Sequence, residues 1–313
     1  MASADVWLPI PPAEIGGLPE SLRYVHWDGE EEFPADPADC VFYAVPYLRG
    51  PAVAVRPLAH MPNVRVVQTL TAGIDHVQPA VPQLPRGALL CNARGVHDAS
   101  TAELALTLAL ASLRGIPSFV RAQDAGQWRQ GFRPSLADRT ALIVGYGSIG
   151  AALEDRLEPF EPAAVHRVAR TARTTPRGPV HTPADLPRLL PEADVVFLTT
   201  PLTDATRGLV DGDFLARMKD GALLVNVARG AVVDTGALLA ELESGRLRAA
   251  LDVTDPEPLP ADHPLWRAPG TLITPHVGGS TSAFLPRVRR LLRSQLRSFA
   301  AGEGLEHVVA TAG

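Results

Sequence analysis

Between residues 140 and 276 short, unbroken apolar runs alternate with longer segments whose apolar residues recur at helical spacing. The runs predict strands over 141–144, 163–169, 193–200, 221–228, 247–253 and 270–276, with helices from Ile149 onward and over 183–192, 211–218 and 235–245. An unbroken apolar run of strand length suits a strand covered on both faces, and strand–helix alternation of this kind implies a parallel sheet with helices on each side. The same signals occur earlier, with strands predicted over 40–48, 64–70 and 87–93. Next comes "DASTAELALTLALASLRGI", a helix that Asp98 or Ser100 can cap and whose first turn carries Glu103, where negative charge suits the helix dipole. Its core, 102–113, is the most apolar stretch of the chain, yet too short to span a bilayer, and is expected to be buried. Residues 284–302 form a final amphipathic helix, expected to pack back onto the first unit.

The strand at 141–144 runs directly into "GYGSIG". In this G-x-G-x-x-G, Gly145 permits a tight turn, Gly147 lets the backbone approach a pyrophosphate, and Gly150 allows close packing of helix on strand. N–H groups at the helix start then face the phosphates. The expected fold is therefore α/β, with two Rossmann-like domains built on doubly wound parallel sheets. A dinucleotide-binding domain is placed at 113–279, inside a discontinuous substrate domain at 1–112 and 280–313. The second strand of such a domain ordinarily ends in an acid that holds the adenosine ribose. Here the stretch is "HRVARTAR", residues 166–173. Arginine accepts a 2′-phosphate through charge-assisted hydrogen bonds, whereas an acid would repel it. The reading is NADP(H) in preference to NAD(H), with Arg170 the first candidate for the phosphate contact and Arg173 the second. Arg167 lies inside the strand and faces either solvent or a neighbouring helix.

Three later strands end in polar groups: Arg229 in "VNVARGAVVD", Asp252 and Glu257 in "LDVTDPEPLP", and His276 in "ITPHVGGST". Ligands of open parallel sheets bind beyond the carboxyl ends of the strands, so these groups can converge. Together they suit hydride transfer to C2 of a 2-oxo acid. Arg229 offers a planar, permanently charged fork for the substrate carboxylate and carbonyl. His276 can act as general acid/base, giving the proton that the developing alkoxide needs. Glu257 beside it favours the imidazolium and fixes its orientation. Asp252, nearer its strand end, is assigned to the nicotinamide carboxamide. His97 and His263 read as structural.

Composition narrows the picture. Hydrophobic residues make up 46% of the 313 and charged residues 20%, enough to fill two cores. A net charge of −5 offers no argument for nucleic acid or an anionic membrane surface, and neither partner is expected. Cys40 and Cys91 form no C-x-x-C, so no disulfide framework or metal site is expected, which suits a reducing cytoplasm. The N-terminus lacks the pattern of a signal peptide.

With "VGYGSIG", "TTPLTDATRGLV", "LLVNVARGAVVD", "ALDVTDPEPLP" and "LITPHVGG" in this order, the chain resembles the D-isomer-specific 2-hydroxyacid dehydrogenase family, including its glyoxylate/hydroxypyruvate reductase-like members. The likeness runs from "VVQTLTAGIDHV" at 66–77 to the C-terminal helix. It implies Arg229, Glu257 and His276 as catalytic trio, Asp252 as nicotinamide contact, and the backbone of Ala72 and Gly73 as receiver of the substrate carboxylate. It further implies that Ser148 and Ile149 approach the pyrophosphate, that Thr200, Pro201, Thr206 and Val227 flank the cofactor, and that Gly278 and Gly279 complete the nicotinamide pocket. "STAE", with Ala102 and Glu103, matches the start of the family's long interdomain helix, which implies a homodimer. Glyoxylate, hydroxypyruvate, bulkier 2-oxo acids or a phosphonate analogue all suit the trio. The alternative is an NAD(P)-binding regulatory protein of the same fold without significant turnover. A methyltransferase using the glycine turn would instead want an acid after the second strand.

Overall fold

A computed structural model describes residues 4–313. The chain divides into two compact units, one running through His97 and resuming from Ser282 to Gly313, the other spanning Asp98–Thr281.

The first unit contains β1 (Asp5–Leu8), β2 (Arg23–His26), β3 (Cys40–Ala44), β4 (Val66–Gln68) and β5 (Leu89–Cys91). They join parallel in the order β5, β4, β3, β1, β2, and Val308–Thr311 adds an antiparallel strand beside β5. Successive side chains point to opposite faces of a strand. Trp7, Tyr43, Val67 and Leu90 accordingly fill one apolar cluster, while Val6, Leu8, Phe42, Val66 and Cys91 fill another. Helix Phe284–Ala301 covers that second face with Val288, Leu291, Leu292 and Leu296. Cys40 and Cys91 are buried free thiols, pushed up to about 12 and about 11 by desolvation.

The second unit contains β6 (Thr140–Val144), β7 (Ala164–Val168), the antiparallel hairpin β8 (Arg173–Thr175) and β9 (Gly178–Val180), then β10 (Val195–Leu198), β11 (Leu223–Asn226), β12 (Arg248–Leu251) and β13 (Thr271–Ile273). Its parallel sheet has the order β7, β6, β10, β11, β12, β13. Leu142, Val144, Val196, Leu198 and Leu224 pack on one face; Ala141, Ile143, Val195, Phe197 and Val225 pack on the other. Burial on both faces is why these strands read as unbroken apolar runs rather than as alternation.

The boundaries differ from the sequence expectation of 112/113 and 279/280. Helix Asp98–Arg114 belongs with the second unit, because Ala102, Ala105, Leu106, Ala109 and Leu113 enter the apolar cluster that contains Ile143 and Phe197. The helix begins at Asp98, so Asp98 stands in its first turn, and the Ser100 hydroxyl meets Thr281 Oγ1 at 2.8 Å. Among the described residues no single helix is long and apolar enough to cross a membrane.

Phe197 is fully buried at the centre of the second sheet. Phe197→Ala is expected to cost about 3–5 kcal/mol of stability, read as a lower midpoint in urea or guanidinium unfolding.

Candidate functional site

The second sheet turns in opposite directions on either side of β6, whose neighbours are β7 and β10. Such a switch point leaves a crevice beyond the carboxyl ends of the strands. The glycine turn sits there. Gly145 has φ +106°, and a Cβ on it would lie 2.4 Å from the Thr200 nitrogen, so the turn presses against the backbone after β10. Thr199 Oγ1 donates to Gly145 O at 2.9 Å and ties the two loops together. A Cβ on Gly150 would lie 3.0 Å from Gly145 O and 3.1 Å from Ile143 Cγ2, which is the close helix-on-strand packing its place in the motif demands. At Gly147 only Gly145 O, at 4.0 Å, comes near the Cβ position, leaving an open cradle at the start of helix Ser148–Leu157. Ser148 and Ile149 occupy the first turn of that helix, where backbone N–H groups have no partner within the helix. Thr200 is buried, Thr206 Oγ1 donates to Pro201 O at 2.7 Å, and Val227 is buried just beyond β11. This set fits a dinucleotide.

The "HRVARTAR" segment divides by burial. Arg167, in β7, is buried and faces the neighbouring helix, where Nε donates to Glu154 Oε2 at 2.8 Å and Nη2 to Glu154 Oε1. Burial resists ionisation of Glu154, but hydrogen bonds from Arg167 and Tyr146 outweigh it and hold the carboxyl below its usual range. Arg170 is exposed just past the end of β7. Arg173 opens β8, and its Nη2 donates to Tyr146 O at 2.6 Å. Sequence reasoning missed Glu154 and Tyr146. The available signal was an arginine within an apolar strand, because a buried guanidinium requires a carboxylate close by.

The loops after β11, β12 and β13 carry the second group. Arg229 directly follows β11 and its run-out, with Asn226 Nδ2 donating to the Arg229 carbonyl at 3.0 Å and Arg229 Nη1 donating to Ala228 O at 2.8 Å. Gly230 brings this loop against the next, because a Cβ there would lie 1.9 Å from Thr254 O. Asp252, buried after β12, accepts from Thr274 Oγ1 at 2.6 Å, Val277 N–H at 2.9 Å and Gly278 N–H at 2.9 Å. A Cβ on Gly278 would lie 3.0 Å from Asp252 Oδ2. Asp252, read from sequence as a nicotinamide contact, therefore also fastens the loop that holds His276, a task the sequence reading did not include.

His276 sits in that loop at φ +53°, a left-handed conformation uncommon for a side-chain-bearing residue. Its N–H donates to Asp252 O at 2.8 Å. Its Nδ1 meets Glu257 Oε1 at 2.5 Å, with the side chains 44% and 40% exposed and so open to a ligand. The hydrogen bond to Glu257 raises the His276 pKa above its ordinary 6.5, against the opposing effects of burial and of the Arg229 charge. Desolvation resists ionisation of Glu257, yet the His276 bond and the nearby Arg229 charge keep its carboxyl below the usual range. The sheet thus brings Arg229, Glu257 and His276 within mutual electrostatic reach. Gly279 follows in the same loop, and His263, read as structural, accepts from Leu265 N–H at 3.2 Å.

Ala72 and Gly73 belong to the first unit, on the loop after β4. Asn92 Nδ2 donates to Ala72 O at 2.8 Å, Thr71 Oγ1 to Gly73 O at 2.7 Å and Thr69 Oγ1 to Thr71 O at 2.9 Å, while His97 Nε2 meets Leu70 O at 2.8 Å. Protein donors thus take four successive carbonyls, which fixes the peptide planes of this loop.

Residues 106–278 match the family model described as D-isomer specific 2-hydroxyacid dehydrogenase, NAD binding domain. A glyoxylate reductase/hydroxypyruvate reductase of Homo sapiens is 36% identical over 231 residues, which cover 70% of this chain and 69% of the human protein. A D-isomer specific 2-hydroxyacid dehydrogenase family protein from Aeromonas salmonicida is similar in structure, with a TM-score of 0.86, 28% identity and 99% of each chain covered. A D-isomer specific 2-hydroxyacid dehydrogenase from Xanthobacter autotrophicus, solved with NADPH and MES, gives a TM-score of 0.81 at 28% identity over 99% of this chain and 98% of that one.

Gly230→Ala forces a methyl group into the Thr254 backbone, which has no flexible end to yield. It is expected to lower thermal stability by about 1–3 kcal/mol or more and to reduce any turnover with it. Gly236→Ala, which meets only Asp234 Oδ1 at 3.4 Å inside a helix, is the control and is expected to melt at or slightly above the wild-type temperature.

Proposed function

Because the chain belongs to the D-isomer specific 2-hydroxyacid dehydrogenase family and carries its NAD(P)-binding domain, we propose that it reduces a small 2-oxo acid to the D-2-hydroxy acid, using NADPH in preference to NADH. The observation that carries this reading is the 2.5 Å contact between His276 and Glu257, beside Arg229 at the strand ends. The bound reduced nicotinamide would supply the hydride to C2. The protein's own groups do the rest. Arg229 pairs with the substrate carboxylate and polarises the carbonyl through a fork that carries charge at every working pH. Glu257 accepts from Nδ1 of His276, which leaves Nε2 to deliver a proton to the forming alkoxide. Asp252 holds the His276 loop and keeps a lone pair for the carboxamide.

Glyoxylate and hydroxypyruvate are the first substrates to test, given the human relative's name. Arg170 and Arg173 are assigned to the 2′-phosphate, a reading supported by the absence of an acid from Val168 to Arg173 and by the NADPH held in the Xanthobacter relative.

His276→Ala is expected to lower kcat/KM for reduction by roughly 10²–10⁴-fold, followed by nicotinamide absorbance. Reduction needs the imidazolium, so in the wild type its rate holds at low pH and falls as pH rises through a His276 pKa above 6.5. Glu257→Gln removes the main raising influence and is expected to move that fall to lower pH; an unmoved profile would exclude Glu257 from this role. Near-wild-type reduction by His276→Ala at every pH would sink the acid–base assignment.

For the cofactor, an Arg170→Ala, Arg173→Ala double variant is expected to lose about tenfold to a hundredfold in kcat/KM for NADPH per phosphate contact removed, with little change for NADH. An unchanged ratio between the two cofactors would end the NADPH reading.

A further inference from the structure

Tyr146 stands inside the glycine turn, between the first two glycines, and its ring is contacted by two guanidinium groups. The Cζ atoms of Arg167 and Arg173 each lie 5.8 Å from the ring centroid. Tyr146 is itself anchored, because its hydroxyl donates to Glu154 Oε2 at 2.5 Å and Glu154 is gripped in bidentate fashion by the buried Arg167. Gly145 and Tyr146 N–H groups both donate to Val168 O, at 2.9 and 2.8 Å, so the anchored turn is also fixed to the end of β7. Arg173 lies on an exposed hairpin strand, yet it is held at two points, by the Tyr146 ring and by the Tyr146 carbonyl at 2.6 Å.

The electrostatics suit an anion. Arg167 balances the Glu154 carboxylate, and Arg177 lies 4.0 Å from it while also pairing with Asp155, so the acid that holds Tyr146 is itself offset by positive charge. An arginine already held in place loses less rotamer freedom on capturing a phosphate than a free one does.

We propose that Tyr146, anchored by the Glu154–Arg167 pair, is a positioning residue for cofactor selectivity: its ring and carbonyl hold Arg173 where the 2′-phosphate of NADPH binds. This rests on the NADPH reading above. It adds a residue that touches no phosphate and sets the preference through its neighbour.

The test compares steady-state reduction of glyoxylate with NADPH and NADH for the wild type, Arg173→Ala, Tyr146→Leu, Tyr146→Phe and the Arg173→Ala, Tyr146→Leu double variant. Tyr146→Leu removes the ring and is expected to lower the NADPH-to-NADH ratio of kcat/KM by about three- to tenfold, mainly through the NADPH KM. Tyr146→Phe keeps the ring face and is expected to restore most of that ratio, which a role resting only on the hydroxyl network would not allow. The double variant is expected to be no worse for NADPH than Arg173→Ala alone, because the ring acts through that arginine. Equal losses with both cofactors in Tyr146→Leu would show a merely structural role and overturn the proposal. So would an unchanged ratio in Tyr146→Leu alongside a lowered one in Arg173→Ala, with the NADPH reading left standing. If the wild type does not favour NADPH, or Arg173→Ala leaves the ratio alone, the NADPH reading has failed and this inference falls with it.

Discussion

Asp252 directly follows β12 with a buried carboxylate that takes three donors from one short loop, the Thr274 hydroxyl and the N–H groups of Val277 and Gly278. A buried carboxylate is tolerable only when it is hydrogen-bonded, and these donors engage three of its acceptor sites. The reciprocal consequence is that the loop has little freedom. His276 lies in the middle of it, in a left-handed backbone conformation that the flanking hydrogen bonds over-determine. The direction of its ring, and with it the contact to Glu257, follows from how Asp252 is satisfied. An acid that looks like a ligand contact in the sequence is equally a fastening.

The same unit uses glycine to bring backbone against backbone in two places. Gly145 lies against Thr199 and Thr200, and Gly230 lies against Thr254 and Asp255. In each case a side chain would occupy space already filled by main-chain atoms, which cannot swing aside as the end of a side chain can. The first contact sets the glycine turn at the switch point between β6 and β10. The second sets the loop that carries Arg229 beside the loop that carries Glu257. Both stand on strands whose two faces are buried, so the platform beneath is rigid.

Arginine serves two different ends within eight residues of "HRVARTAR". Arg167 points into the unit and neutralises Glu154, whereas Arg170 and Arg173 are exposed beyond the strand end. Burial alone separates a structural ion pair from groups available to an anion. Arg23 with Asp5 shows the first use again between β2 and β1 of the first sheet, where a fully buried acid meets a half-exposed guanidinium.

Much of the second unit was legible in the sequence, because its strands are covered on both faces and leave continuous apolar runs such as "ALIV" and "VVFL". The glycine spacing and the polar groups that follow "LLVN", "RAAL" and "TLI" were local signals too, and they named Arg229, Glu257 and His276. Less could be read in the first unit. β1 is only four residues, all buried, with prolines close behind it, β2 is an edge strand with mixed exposure, and Val308–Thr311 is largely exposed, so none shows a clean period. The helix at 98–114 was plain as a helix, but an apolar face does not say which sheet it will cover; its packing against Ile143 and Phe197 decided that. Pairings between distant residues were likewise beyond the sequence: Glu154 with Arg167, Tyr146 with Arg173, Asp252 with the 274–278 loop. Periodicity and turn chemistry are properties of neighbours along the chain and determine the elements and the candidate groups. Which groups meet is settled only when the sheet has brought strand ends together, because those contacts depend on distances that no spacing in the sequence encodes.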